Sequence, residues 1–135
     1  MSYGVVILHY MKIVIEARIL GTGTGRYAEE LLHNLEEIDS SNSYSILMNE
    51  NGVSRYAPSR SNFKTVVSSI PFYAAISQFK LASKLNSLKP DLVHYTFQFV
   101  TFFYRGKFVL TIFDLTQIRF SNPGKGIKLL YGTKQ

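Results

Sequence analysis

The residues of this chain best placed by type and company to do chemistry begin with Gly21-Thr-Gly-Thr-Gly25, which is followed by Arg26 and stands between an apolar run and an amphipathic stretch. Glycines at this density let backbone approach a ligand closely, and N–H groups at the start of a helix attract phosphate. Gly23, Thr24, Gly25 and Arg26 are therefore read as candidate substrate- and phosphate-binding residues. A tight turn with a solvated arginine is the plain alternative. The spacing is Gly-x-Gly-x-Gly, so it is neither the dinucleotide fingerprint nor a P-loop. His94 closes Asp91-Leu-Val-His94, and Asp114 follows the apolar run 108–113. An imidazole and a carboxylate there could bond sugar hydroxyls or move a proton, which makes His94 and Asp114 the candidate catalytic residues. A core histidine and a loop-capping aspartate are the alternatives. Glu16 and Asp114 are the only carboxylates placed to act as a pair on a glycosidic bond, and that pairing is weak.

Other chemistries find no purchase. The three histidines, His9, His33 and His94, lack ligand spacing and there is no cysteine, so no metal site is expected. There is no Gly-x-Ser-x-Gly elbow for a serine nucleophile. No acidic residue closes the second apolar run where the ribose of a dinucleotide would need one.

The elements that must hold these residues follow from the pattern. Val5–Ala17 reads as a strand whose second part, 11–17, is a near-continuous apolar run of the kind a parallel strand covered on both faces shows. A helix begins near Arg26, with Tyr27, Ala28, Leu31, Leu32, Leu35 and Ile38 on one side and Glu29, Glu30, Glu36 and Glu37 on the other. Tyr44–Asn49 reads as a second strand, 49–52 as a turn, 53–62 as a surface loop and Phe63–Ser68 as a third strand. Pro71 suits the first turn of a helix whose apolar stripe is Phe72, Ala75, Ile76, Phe79, Ala82, Leu85 and Leu88. Pro90 closes it. Leu92–Thr96 and Phe108–Phe113 complete five strands, 114–126 reads as loop, and a last helix starts near Ile127. Strands alternating with helices predict an α/β fold, a Rossmann-like parallel sheet with flanking helices and right-handed crossovers. Ligands then bind at the carboxyl ends of the strands, where 21–25, 94–97 and 113–115 lie.

With 135 residues, 46% of them hydrophobic, the chain makes one domain with a core of its own. Its net charge of +6 is divided unevenly: residues 1–50 carry −4 and residues 51–135 carry +10. The basic part suits an anionic partner or is simply a solvated surface, and its scattered bases form no run of the kind nucleic-acid binding needs. Phe97, Phe99, Phe102, Phe103 and Tyr104 are either a packed crossover or an exposed apolar lip bordered by Arg105 and Lys107, a pattern suited to lipid. No apolar run is long enough to span a bilayer, and no basic region precedes the first apolar stretch as in a signal peptide. The expected location is the cytoplasm, at the inner face of the membrane if the basic half meets lipid.

The order of these segments resembles the start of family 4 glycosyltransferases of the GT-B fold. Met11-Lys-Ile-Val-Ile15, then Gly23-Thr-Gly-Arg-Tyr27 with Glu30-Leu-Leu32, is similar to the family's opening strand, loop and helix. Asp91-Leu-Val-His94 resembles its Asp-hydrophobic-hydrophobic-His segment. Phe108-Val-Leu-Thr-Ile-Phe-Asp-Leu115 with Ile118-Arg-Phe120 resembles its Val-Thr-x-His-Asp-Leu segment. The resemblance covers 11–123. It implies that residues 11–135 are part of a Rossmann-like N-terminal, acceptor-side domain, behind a ten-residue extension. A separate donor domain would bind the nucleotide-sugar, and sugar would be transferred with retention to a glycan or lipid acceptor without metal or cofactor. Gly23 to Arg26 would lie against the donor phosphate or the acceptor, with His94 and Asp114 nearby. The donor domain is not among the 135 residues, which by themselves are expected to be inactive; the alternatives to a transferase are a small α/β interaction module docking on an anionic surface and a nucleotide-binding regulatory domain. Phe113 replaces the family's usual histidine and cannot make its hydrogen bond to the donor sugar.

Overall fold

The structure, a computed structural model, describes residues 10–114. Residues 1–9 of the extension (which include the first part of the expected opening strand), the loop beyond Asp114 and the expected last helix lie outside the described residues. Within them the chain runs β1 (Lys12–Glu16), α1 (Arg26–Ile38), β2 (Ser43–Met48), α2 (Glu50–Val53), β3 (Phe63–Val67), α3 (Ala75–Leu88), β4 (Leu92–Tyr95) and β5 (Phe108–Leu110). The five strands form one parallel sheet in the order β3-β2-β1-β4-β5. This is a Rossmann-like α/β architecture. The order reverses between β1 and β4, and sheets of this kind hold their ligands at the carboxyl ends of the strands flanking such a reversal.

Alternation along each strand divides the core into two layers. On one face Ile15, Tyr44, Ile46, Met48 and Phe63 pack with Ala28 and Leu32 of α1. On the other, Val14, Leu47, Val93 and Tyr95 pack with Leu81, Ala82 and Leu85 of α3. β1 is thus sandwiched between helices, which is why it reads as unbroken Ile and Val rather than alternating. β5 is at an edge of this sheet, and Phe108 and Val109 are close to half exposed.

Several elements depart from the sequence reading. α3 starts at Ala75, three residues later than the stripe suggests, and Pro71 and Phe72 precede it. Its buried side is Ser77, Leu81, Ala82 and Leu85, while Ile76 and Phe79 are more than half exposed. The reason is period: 79, 82, 85 and 88 step by three, lagging the 3.6-residue turn, so that ladder winds off the buried face. In α1, Glu36 is buried rather than solvated, and Ile38 is exposed. The Glu36 Oε1 accepts the backbone N–H groups of Ser59 and Arg60 at 2.8 and 3.1 Å, pinning the 53–62 loop to the helix. The 49–52 turn tightens into α2, capped by the Asn49 side chain accepting from Gly52 N–H at 2.8 Å. β5 ends at Leu110, so Asp114 lies four residues past the strand instead of directly after it.

Candidate functional site

The loop after β1 is built from consecutive turns. Leu20 N–H donates to Ala17, Thr22 N–H to Ile19 and Gly25 N–H to Thr22, at 3.0, 3.1 and 3.0 Å. The three glycines differ. Gly21 has φ +83°, the left-handed conformation that side chains disfavour, and a Cβ on Gly25 would sit 2.4 Å from the Ile19 carbonyl oxygen. Gly23 meets nothing within 4 Å and needs no positive φ. Gly25 is the N-cap of α1 and supplies no side chain to it, so this helix starts without a side-chain cap. Beside it lies a depression of about 420 Å³ lined by Gly21, Thr22, Gly25, Arg26, Glu29, Glu30 and Arg55. Gly23 and Thr24 are exposed in the same loop. Arg26 reaches Glu30 at 3.8 Å with both side chains mostly in solvent, a contact worth little.

His94 projects from β4 on the α1 side of the sheet, opposite Ile15 in register. Its Nε2 is 3.0 Å from the Thr111 hydroxyl, which is 3.2 Å from the Tyr27 hydroxyl in the first turn of α1. Burial pushes the imidazole below its ordinary value, so His94 is neutral at pH 7. Tyr27 also stands edge-on to Phe113, with centroids 5.2 Å apart, and Phe113 lies 6.2 Å from Phe97. The carboxyl end of β4, the segment after β5 and the start of α1 therefore meet at one rim of the sheet. Asp114 follows Phe113 there and is exposed. Among the described residues, no three of His, Cys, Asp and Glu gather as ligands for a metal ion.

At this rim Glu16 has a partner that the sequence reading does not single out, Arg18. Arg18 Nε donates to Glu16 Oε1 at 2.6 Å, and Arg18 N–H donates to the same oxygen at 3.2 Å. Both side chains are almost wholly buried. Arg18 Nη1 donates onward to the Ile70 carbonyl at 2.7 Å, and the guanidinium lies 4.7 Å over the Phe72 ring. The pair thus bolts the end of β1 to the segment ahead of α3. Opposite Glu16 in register, Tyr95 is buried, and desolvation followed by the Glu16 charge pushes its phenol well above the usual range. Glu16 is committed to Arg18 and out of solvent, whereas Asp114 is exposed, so the weak Glu16–Asp114 carboxylate pairing is not supported. The available signal was Glu-x-Arg directly after a strand buried on both faces, because charges in such a place must pair. Thr111 and Tyr27 carried no comparable signal, since their meeting depends on the strand order.

No protein-family model, no curated protein and no solved structure matches this chain.

Proposed function

We propose that this chain is the acceptor-side domain of a glycosyltransferase, moving a sugar with retention from a nucleotide-sugar donor to a glycan or lipid acceptor. The observation that carries the reading is the His94–Thr111–Tyr27 chain, which links the start of α1 to the ends of β4 and β5 beside the glycine loop. Side chains able to donate and accept at one rim suit a ligand rich in hydroxyl groups. The depression beside the loop points the same way, since two carboxylates and two guanidinium groups line it together.

In this reading the backbone of Gly23 to Gly25 and the Arg26 guanidinium position acceptor hydroxyls or the donor phosphate. Neutral His94 sets the orientation of the Thr111 hydroxyl, and Asp114 accepts a bond from a sugar hydroxyl at the exposed lip. The nucleotide-sugar is a substrate, and no cofactor takes part. Charge on the departing nucleoside diphosphate is stabilised from a donor-side domain. The 135 residues alone then leave nucleotide-sugars intact.

Saturation-transfer NMR with a panel of short oligosaccharides, UDP-glucose and GDP-mannose tests the proposal. At least one oligosaccharide is expected to bind, about tenfold more weakly to Thr111→Val, the size of one lost hydrogen bond. Binding of the nucleotides with no response to any glycan would overturn it in favour of a nucleotide-sensing regulatory domain. Turnover of either donor by the 135 residues would contradict the division of labour between domains.

A further inference from the structure

The outer side of α3 carries a surface that the rim chemistry does not use. Ile76 and Phe79, one turn apart, are 55% and 56% exposed, and Phe102 and Phe103 from the segment after β4 are 50% and 45% exposed. These four are held as one patch. Phe79 and Phe103 stack with centroids 3.9 Å apart and planes 22° from parallel. Thr101 donates its hydroxyl to the Gln78 carbonyl at 2.6 Å, and Phe102 N–H donates to Gln78 Oε1 at 3.1 Å. Anchoring of this kind keeps the aromatic segment on the helix without burying its rings, which remain a contiguous apolar patch on the surface.

The charge around the patch has one sign. Lys80 follows Phe79, Arg105 and Lys107 follow the aromatic segment, and all three are exposed. α3 contains no acid, and between Glu50 and Asp114 the only one is Asp91, against eight bases. Residues 115–135 add four bases and no acid. Two copies of so cationic a face repel each other, and the chain's own last segment has the same sign. The partner is therefore anionic as well as apolar. Composition and stacking favour lipid among anionic partners: Ile76 has no π-face, and Phe79 and Phe103 each cover one face of the other, so the patch offers more apolar area than open ring faces. A nucleobase binds by stacking on free ring faces, whereas acyl chains need only apolar area.

We infer that this face of α3 docks peripherally on an anionic lipid bilayer, with Ile76, Phe79, Phe102 and Phe103 entering the interface and Lys80 and Arg105 meeting the headgroups. Apolar rings bordered by bases suit association with the bilayer surface, and no helix among the described residues is long and apolar enough to cross a membrane. The inference is independent of the glycosyltransferase reading and survives if that reading fails.

Flotation of the 135-residue chain with vesicles of phosphatidylcholine, with and without 30% phosphatidylglycerol, tests it. The chain is expected to float with the anionic vesicles at low salt and to lose several-fold of that binding when salt is raised about tenfold. Phe79→Ser with Phe103→Ser is expected to abolish flotation with an unchanged far-ultraviolet circular dichroism spectrum. Lys80→Glu with Arg105→Glu, a second variant that leaves the rings in place, removes the preference for phosphatidylglycerol. Absence of flotation by the native chain overturns the inference. So does flotation that both variants retain, a dimer dissolved by the Phe79 and Phe103 replacements in a chain that ignores vesicles, or retention of single-stranded oligonucleotide in place of lipid.

Discussion

Glycine at 21, 23 and 25 looks equivalent along the chain, yet the three backbones ask for different things. Gly25→Ala places a methyl group against the Ile19 carbonyl and is expected to destabilise the domain by about 2 kcal/mol or more. Gly23→Ala faces open space and is expected to leave stability within about 0.5 kcal/mol. Urea unfolding of the two variants separates them, and equal losses would contradict the described loop. Arg18→Met leaves the buried Glu16 charge without its partner and is expected to cost about 3–5 kcal/mol by the same measurement. His94 supplies a pH dependence whose sign follows from its burial. Its folded pKa lies below the unfolded value of 6.5, so the unfolded chain binds more protons as acid is added. The stability tied to neutral His94 is complete above about pH 6.5 and declines as pH falls below it. His94→Asn is expected to remove that part of the slope between pH 7 and 5, and an unchanged slope would place the effect elsewhere.

At the scale of elements, the alternation of apolar strands and amphipathic helices was legible, and so was the position of the glycine loop between β1 and α1. Continuous Ile and Val in β1, against the alternating burial of β2, carried that information. Side-chain facing in α3 was not legible, because an apolar ladder at steps of three mixes one buried helix face with an adjacent exposed one. Polar groups that act across long separations were also hidden. Glu36 looks like any acid on a solvated helix face until the 53–62 loop folds over it and presents two N–H groups. Glu36→Ala leaves those donors unpaired and is expected to cost about 1–3 kcal/mol. Hydrogen exchange at Ser59 and Arg60 is expected to accelerate in that variant, and unchanged protection there would contradict the staple. The candidate site was legible in its glycine loop and in His94, each marked by its place at a strand end. Thr111 and Tyr27 are 84 residues apart, and only the order β3-β2-β1-β4-β5 makes them neighbours.

At the scale of the molecule, the sheet presents its carboxyl rim and the outer side of α3 as two surfaces of different character. One carries hydroxyl, imidazole, carboxylate and guanidinium groups, and the other combines apolar rings with bases. A transferase acting on an acceptor at a lipid surface would use both, while each is testable alone. The most direct test of the central claim is to follow the backbone amide resonances of the 135-residue chain as an oligosaccharide that binds it is added. The largest shifts are expected to fall together on 23–27, 94–97 and 111–114. Shifts confined to the amino ends of the strands, or none at those three segments at saturation, would contradict that claim.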